Sequence, residues 1–189
     1  MKVTKAQAQA NREHIVETAS VLFRKYGYEG VGIADLMAAS GFTHGGFYRH
    51  FRSKADLMAE AAKCSFNNTQ SSIAHIDISD FFKDYLSRTH RDFRSTGCTL
   101  AALCGDAARQ HEDIKSEFLN GIEEQLSRLK RMIITHAGST SSITRAKLMS
   151  LLAQAVGAIM ISRACPDDSA TANEVLEVCL SQIISQIPE

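Results

Sequence analysis

Between Thr43 and Lys54 the chain reads THGGFYRHFRSK, a set of small and hydrogen-bonding residues whose chemistry suits a polyanion. Thr43, His44, Gly45 and Gly46 are placed to form the exposed first turn of a helix. Free backbone N–H groups and the positive dipole end of such a turn attract phosphate, and two glycines let a sugar-phosphate chain or a base edge come close. Tyr48, His50 and Lys54 add side-chain donors along the adjoining backbone, whereas Phe47 and Phe51, four residues apart, turn inward. Thr43, His44, Gly45 and Gly46 are therefore expected at or near base edges, and Tyr48, His50 and Lys54 on phosphate. An ordinary helical hairpin with a solvated charged face has the same spacing, so the residues alone leave that alternative open.

The elements around this stretch give it a frame. Ile33, Leu36 and Met37, three and four apart, predict a helix from Ile33 to about Ser40, and Gly41 supplies the left-handed backbone that stops it. The Thr43 hydroxyl suits the cap of the next helix. Helix, short glycine-containing turn and second helix form the helix-turn-helix plan, whose second helix enters the major groove. Upstream, Ile15, Ala19, Leu22, Phe23 and Tyr26 predict a helix over Gln9 to Tyr26 that ends at Gly27. Met1 to Ala8 is expected to be a loose arm, with Lys2 and Lys5 either touching phosphate or solvating the terminus. Downstream, Ser53 caps a helix from Lys54 to about Asn67, followed by a polar run from Asn67 to Ser72.

At 189 residues the chain can bury a sizeable core, and its Lys plus Arg and Asp plus Glu totals are equal at 21 each. Net charge therefore favours no nucleic acid, but its distribution does. Residues 1–54 carry Lys2, Lys5, Arg12, Arg24, Lys25, Arg49, Arg52 and Lys54 against Glu13, Glu17, Glu29 and Asp35, so a basic head precedes an acidic remainder. The amino-terminal MKVTKAQAQANREH lacks an apolar segment after its lysines, which predicts a cytosolic protein. Leu148 to Ser162, the longest charge-free apolar run, is shorter than the roughly 20 residues a bilayer requires. Five cysteines without paired spacing argue against a disulfide framework, and the spacing of histidines 75, 90, 111 and 136 suggests no metal and no cofactor.

GFTHGGFYRHFRSKADL, with YGYEGVGIADLMAASG before it, closely resembles the DNA-binding domain of the tetracycline-repressor (TetR/AcrR) family of bacterial transcription regulators. The glycines, the aromatic core of the second helix, the following Ser-Lys and the preceding helix with Phe23 and Gly27 all stand in register. The resemblance implies an all-α fold of about nine helices. A three-helix DNA-binding domain over 1–54 would precede a larger helical regulatory and dimerisation domain over 55–189. It also implies a homodimer that binds a palindromic double-stranded operator, usually as a repressor. Gly32 replaces the Ser or Thr cap frequent in the family, and Ala34 and Gly46 are small where polar side chains are common. Base reading is thus expected to fall on Thr43, His44 and backbone approach.

The body shows five apolar periodicities. They predict helices over about Ser79 to Arg94, a short stretch after Gly97, Ile114 to about Gly138, Leu148 to Ile161, and Ser169 to Ile187. The last two carry more apolar surface than one chain of this size covers; they are either body core or a partner interface, and the resemblance implies a four-helix interface between subunits. Phe81, Phe82, Tyr85, Phe93, Phe118, Met132 and Met149 either fill the core or line an apolar pocket for a small-molecule inducer. Cys98, after Arg91, Arg94 and Gly97 at a helix start, is either a thiol sensor or a packed side chain. Some family members use a cysteine in the corresponding segment as a sensor, and others only pack it. No triad, phosphate loop or paired carboxylates support an enzyme, although a helical enzyme or a scaffold without DNA binding is the alternative.

Overall fold

A computed structural model of the protein describes residues 4–68, 76–137 and 143–187, and the regular structure among them is helical throughout. Helix α1 spans Lys5–Tyr26. It begins earlier than its apolar stripe predicts because the Thr4 hydroxyl accepts from Gln7 N at 3.1 Å, a cap inside the expected arm. Lys5 is therefore helical. Gly27, with φ 79°, ends α1, and its N–H closes on the Phe23 carbonyl.

Helix α2, Ile33–Ala39, starts after Gly32, and the Asp35 carboxylate accepts from Gly32 N at 3.3 Å. An acid one turn on thus caps where Gly32 has no side chain to do so. Its end is closed by two bonds, Gly41 N to Ala38 O at 3.0 Å and Phe42 N to Met37 O at 2.8 Å, with Gly41 at φ 78°.

The second helix of the pair differs from expectation. His44–Arg49 is a 3-10 helix, and Thr43 occupies its cap position without making the expected side-chain bond. Each glycine costs a helix about 1 kcal/mol relative to alanine, and two in one turn leave the tighter three-residue bonds, such as Gly46 N to Thr43 O at 2.9 Å, as the local solution.

Helix α3, Lys54–Asn68, is capped as expected by Ser53, whose hydroxyl accepts from Asp56 N at 3.1 Å. Asn67 and Asn68 continue this helix, and the rest of the expected polar run lies outside the described residues. The single helix predicted over 79–94 is two, α4 (Ile78–Tyr85) and α5 (Arg88–Asp92). Ser87 makes the break: its hydroxyl accepts from His90 N at 3.1 Å and starts a new helix where apolar periodicity alone would continue the old one. Then come α6 (Thr99–Ala107), α7 (Glu112–Ala137), α8 (Arg145–Ala164) and α9 (Ala170–Ile184).

Two apolar cores organise these helices. The first joins Ile15, Phe23, Leu36, Phe47 and Phe51 to Leu57 and Phe66 of α3, and onward to Leu100 and Leu103 of α6 and Ile114 and Phe118 of α7. It runs across the division expected between residues 54 and 55. Where α3 crosses α7, Gly121 gives way to Phe66: a Cβ there would lie 2.6 Å from the ring. The second core joins α4, the carboxy-terminal half of α7, α8 and α9 through Phe82, Leu126, Ile133, Leu151, Ile159 and Leu176.

Helix α8, with its flanking charges, has 20 residues and is long and apolar enough by composition to cross a membrane. Leu148, Leu151, Ala155, Ala158, Ile159 and Ser162 form its buried face. Met149, Met160 and Ile161 of α8 and Val178 of α9 are exposed.

Candidate functional site

The face of the helix-turn-helix is built from a rigid base and an open edge. Beneath it, Phe47 and Phe51 are buried, with ring centroids 5.4 Å apart. The Arg12 guanidinium of α1 pairs with Glu60 of α3, donates to the His50 carbonyl at 3.2 Å and lies over the Phe51 ring. This one side chain clamps the end of the 3-10 helix between α1 and α3. Its separation of 38 and 48 residues from its partners leaves no trace in local spacing.

Thr43, His44, Gly45 and Tyr48 form the open edge, all exposed, together with Arg49. A Cβ added to Gly45 would meet nothing within 4 Å, whereas one on Gly46 would approach Met37 Cε at 3.6 Å and Thr43 Oγ1 at 3.7 Å. The other two expected phosphate donors are half-buried. His50 packs between the rings of Phe42 and Phe51; burial, then Arg12 and Arg49, push its pKa down, so the ring favours its neutral form. Lys54 donates from Nζ to the Tyr28 carbonyl at 2.5 Å, tying the start of α3 to the loop after α1.

The body holds a cavity of about 270 Å³ between α4, α7 and the start of α6. Phe81 and Tyr85 line it, as do Phe66, His90, Cys98, Thr99, Gln125 and Arg128. The other five expected lining residues lie elsewhere. Phe82 is buried in the second core and Phe118 packs edge-on against Phe66 in the first. Met132 packs on the second core, while Phe93 and Met149 are 63% and 47% exposed. The break at Ser87 explains Phe93, because it removes that residue from the apolar face that α4 presents.

Cys98 lies between the two cores and at the N-cap of α6. The His90 ring bridges Tyr85 to Cys98 by two bonds, one to each. Nδ1 lies 2.5 Å from the Tyr85 carbonyl, which only accepts, so this nitrogen carries the proton; Nε2 accepts from Cys98 N at 2.9 Å. Burial, with Arg163 nearby, lowers the His90 pKa in agreement with this neutral tautomer. Gly97 is required beneath the ring, where a Cβ would lie 2.8 Å from Nε2.

Arg91 and Arg94, the cations expected beside the thiol, do not serve it. Arg91 is buried and engages Ser162, Asp92 and Asp167 at the end of α8, and Arg94 is exposed. The charges that interact with Cys98 are instead those of Arg24, Arg128 and Arg163, from three distant segments. Cys104 is half-buried, and burial raises its pKa. The described cysteines are all free. His136 pairs with Asp77 at the start of α4, and His75 lies outside the described residues.

Head and body meet at specific polar contacts. The Asp106 carboxylate of α6 accepts from Tyr28 N at 2.9 Å, and Arg24 of α1 donates to the Ser95 carbonyl at 2.8 Å. The loop that leads to Cys98 is thus bonded to the first helix of the head.

The sequence family described as bacterial regulatory proteins, tetR family, matches residues 15–61, the same segment that forms α1, the turn, the 3-10 helix and the first half of α3. Residues 15–61 thus carry the tetR-family sequence pattern. Among similar proteins, the HTH-type transcriptional regulator AcrR of Shigella flexneri is 37% identical over 65 residues, which are 34% of this chain and 30% of that protein. The match thus spans less than a third of that relative's length. The transcriptional repressor DhaR of Mycobacterium sp. (strain GP1) is 25% identical over 148 residues, 75% of this chain and 74% of DhaR. A TetR transcriptional regulator from Chloroflexus aurantiacus shares the fold with a TM-score of 0.74 at 22% identity, over 96% of each chain.

Proposed function

We propose that the chain is a cytosolic transcription repressor that binds a palindromic operator as a homodimer through the face of its helix-turn-helix. The observation that carries this reading is the open edge of Thr43, His44, Gly45 and Tyr48, clamped from behind by Arg12 and lying within the matched tetR-family segment. His44 reads base edges, Tyr48 and Lys54 hold phosphate, and His50 contributes mainly by packing. The names of AcrR and DhaR as transcriptional regulators agree with a non-enzymatic role. Met149, Met160, Ile161 and Val178 supply an apolar surface for a second subunit. An interface of this kind belongs to the obligate class, above about 2,000 Å². A monomer by light scattering at micromolar concentration would reject the dimer.

Operator binding across a salt series tests the head. Lys54→Ala should weaken binding to every sequence and flatten the salt slope by about one unit, whereas His44→Ala should change sequence preference. Equal losses on specific and random DNA for both variants would reject the division of labour.

Release is controlled from the body, either by a small apolar ligand in the cavity or by modification of Cys98. In the second case the thiolate sulfur bonds the β-carbon of an α,β-unsaturated carbonyl compound and the α-carbon takes up a proton. A 10- to 100-fold loss of operator affinity needs only about 1.4 to 2.8 kcal/mol of coupling. Release of wild type but not of Cys98→Ser by such a compound supports the thiol route; indifference of both eliminates it.

A further inference from the structure

The cations of the head divide into those already engaged by the chain and those left over for a partner. Arg12 pairs with Glu60 and donates to the His50 carbonyl, Arg24 donates to the Ser95 carbonyl, and Lys54 donates to the Tyr28 carbonyl. Lys25 lies over the Tyr26 ring, its nitrogen 4.8 Å from the centroid. His50 is held toward its neutral form. Arg49 and Arg52 differ from all of these. Both are exposed, and neither guanidinium makes a hydrogen bond or ion pair among the described residues.

The two side chains line one cleft, together with Tyr48 and Arg12 and the carboxylates of Asp56 and Glu60. Both carboxylates are answered on the spot: Glu60 by Arg12, and Asp56 by the Arg52 backbone N–H, which it accepts at 3.1 Å. That second bond also fixes the Arg52 backbone beside the start of α3. The Tyr48 ring stands edge-on to the buried Phe47, centroids 5.2 Å apart, so the backbone that carries Arg49 is anchored as well. Three arginines against two carboxylates leave the cleft positive. The mounts are thus rigid and the two guanidinium heads are uncommitted. Taking up a phosphate breaks no internal bond of theirs, whereas Lys54 must share its ammonium with the Tyr28 carbonyl.

We propose that Arg49 and Arg52 are two further phosphate anchors of the DNA-binding face, gripping one run of the backbone across this cleft beside Tyr48. The inference rests on the head being a binder of duplex DNA. Guanidinium and phosphate match as planar fork and paired oxygens, and each contact releases counterions from the duplex. Phosphates are the same at every base pair. These two residues therefore raise affinity without choosing sequence, and leave that choice to the first turn of the 3-10 helix.

Fluorescence anisotropy of the full chain across a salt series tests it, with a short duplex of random sequence and a duplex selected by the wild-type protein from a random library. Arg49→Gln and Arg52→Gln should each flatten the slope of log affinity against log salt by about 0.9, and the double variant by about 1.8. Both duplexes should weaken by the same factor, to within about twofold. Arg49→Lys and Arg52→Lys should keep the slope, because charge displaces the counterions. Lys25→Gln removes an equal charge from an exposed site beside Arg24, which is bonded to the body, and should leave the slope unchanged. The proposal is overturned if the Gln variants keep the wild-type slope, if the Lys variants lose it, if the loss is confined to the selected duplex, or if Lys25→Gln flattens the slope as much. Should one Gln variant fold poorly, the other decides. Steep salt dependence in wild type and Gln variants alike rejects this inference and leaves the DNA-binding reading standing; a wild type that binds neither duplex rejects both.

Discussion

The open edge of the helix-turn-helix and the polar junction around Arg91 are built on opposite plans. The edge is a short 3-10 helix whose first turn carries two glycines and an unbonded Thr43 hydroxyl. At the junction, Arg91 is 2% exposed and donates to Ser162 Oγ at 2.9 Å and to Asp167 at 2.8 Å, while Arg163 donates to the carbonyls of His90, Arg91 and Ala101. One region leaves donors and backbone free for a partner; the other spends its donors on the chain itself. Exposed groups at the edge are worth little to folding and much to binding, and the reverse holds at the junction.

The hardest test of this contrast is Arg91→Leu. It strips buried acceptors of their donor and should destabilise the protein by about 3 kcal/mol in denaturant melts, with no specific effect on base preference. A loss below about 1 kcal/mol would mean that the junction is not the anchor described here.

Lys54→Ala sits between the two plans, since its ammonium both bonds the Tyr28 carbonyl and faces DNA in the proposed reading. It should cost about 1 kcal/mol of stability in addition to the salt-slope change. An unchanged midpoint would place Lys54 with the open edge alone.

Gly45→Ala should separate folding from binding in sign. The new methyl has room and the backbone is not left-handed, so the helix should gain up to about 1 kcal/mol, while operator affinity falls because the methyl holds the DNA backbone off. Parallel changes in both quantities would remove the contrast.

Acid gives the smallest effect and still discriminates. The folded-state pKa of His90 is depressed below its ordinary 6.5, so the native state holds fewer protons than the unfolded one. Its contribution is therefore complete above about 6.5 and lost as pH falls from there through the folded value. His90→Gln should flatten stability against pH in that window without abolishing the slope, because His50 is depressed in the same direction. An unaltered slope would show that His90 does not titrate with unfolding.

What could be read from the residues follows the same division. The recognition turn is local, so Gly41, Thr43 and the Phe47–Phe51 pair announced it within a dozen positions. Its 3-10 geometry was hidden because the helical signal and its weakening by Gly45 and Gly46 occupy the same turn. The body's helices were legible wherever one apolar stripe ran unbroken. Ser87 concealed the break between α4 and α5, as its capping role shows only against the His90 amide. The cavity was half legible. Phe81 and Tyr85 were identified by type, but Arg128, His90 and Phe66 reach it from separate helices, and neither period nor motif links them. The flanking arginines misled for the same reason: Arg91 is adjacent in sequence and committed elsewhere, while Arg24 and Arg163 come from the far ends of the chain.

The continuity of the first core has a consequence for anyone building hybrids. Regulators of this architecture invite exchange of heads, with the cut placed where sequence similarity fades. Here a joint after residue 54 would pass through a packed interior, parting Phe47 and Phe51 from Leu57 and leaving Leu100, Leu103 and Ile114 to meet a foreign surface. The transferable unit in this molecule is thus a surface plus its counterface on α6 and α7, not a contiguous stretch of chain.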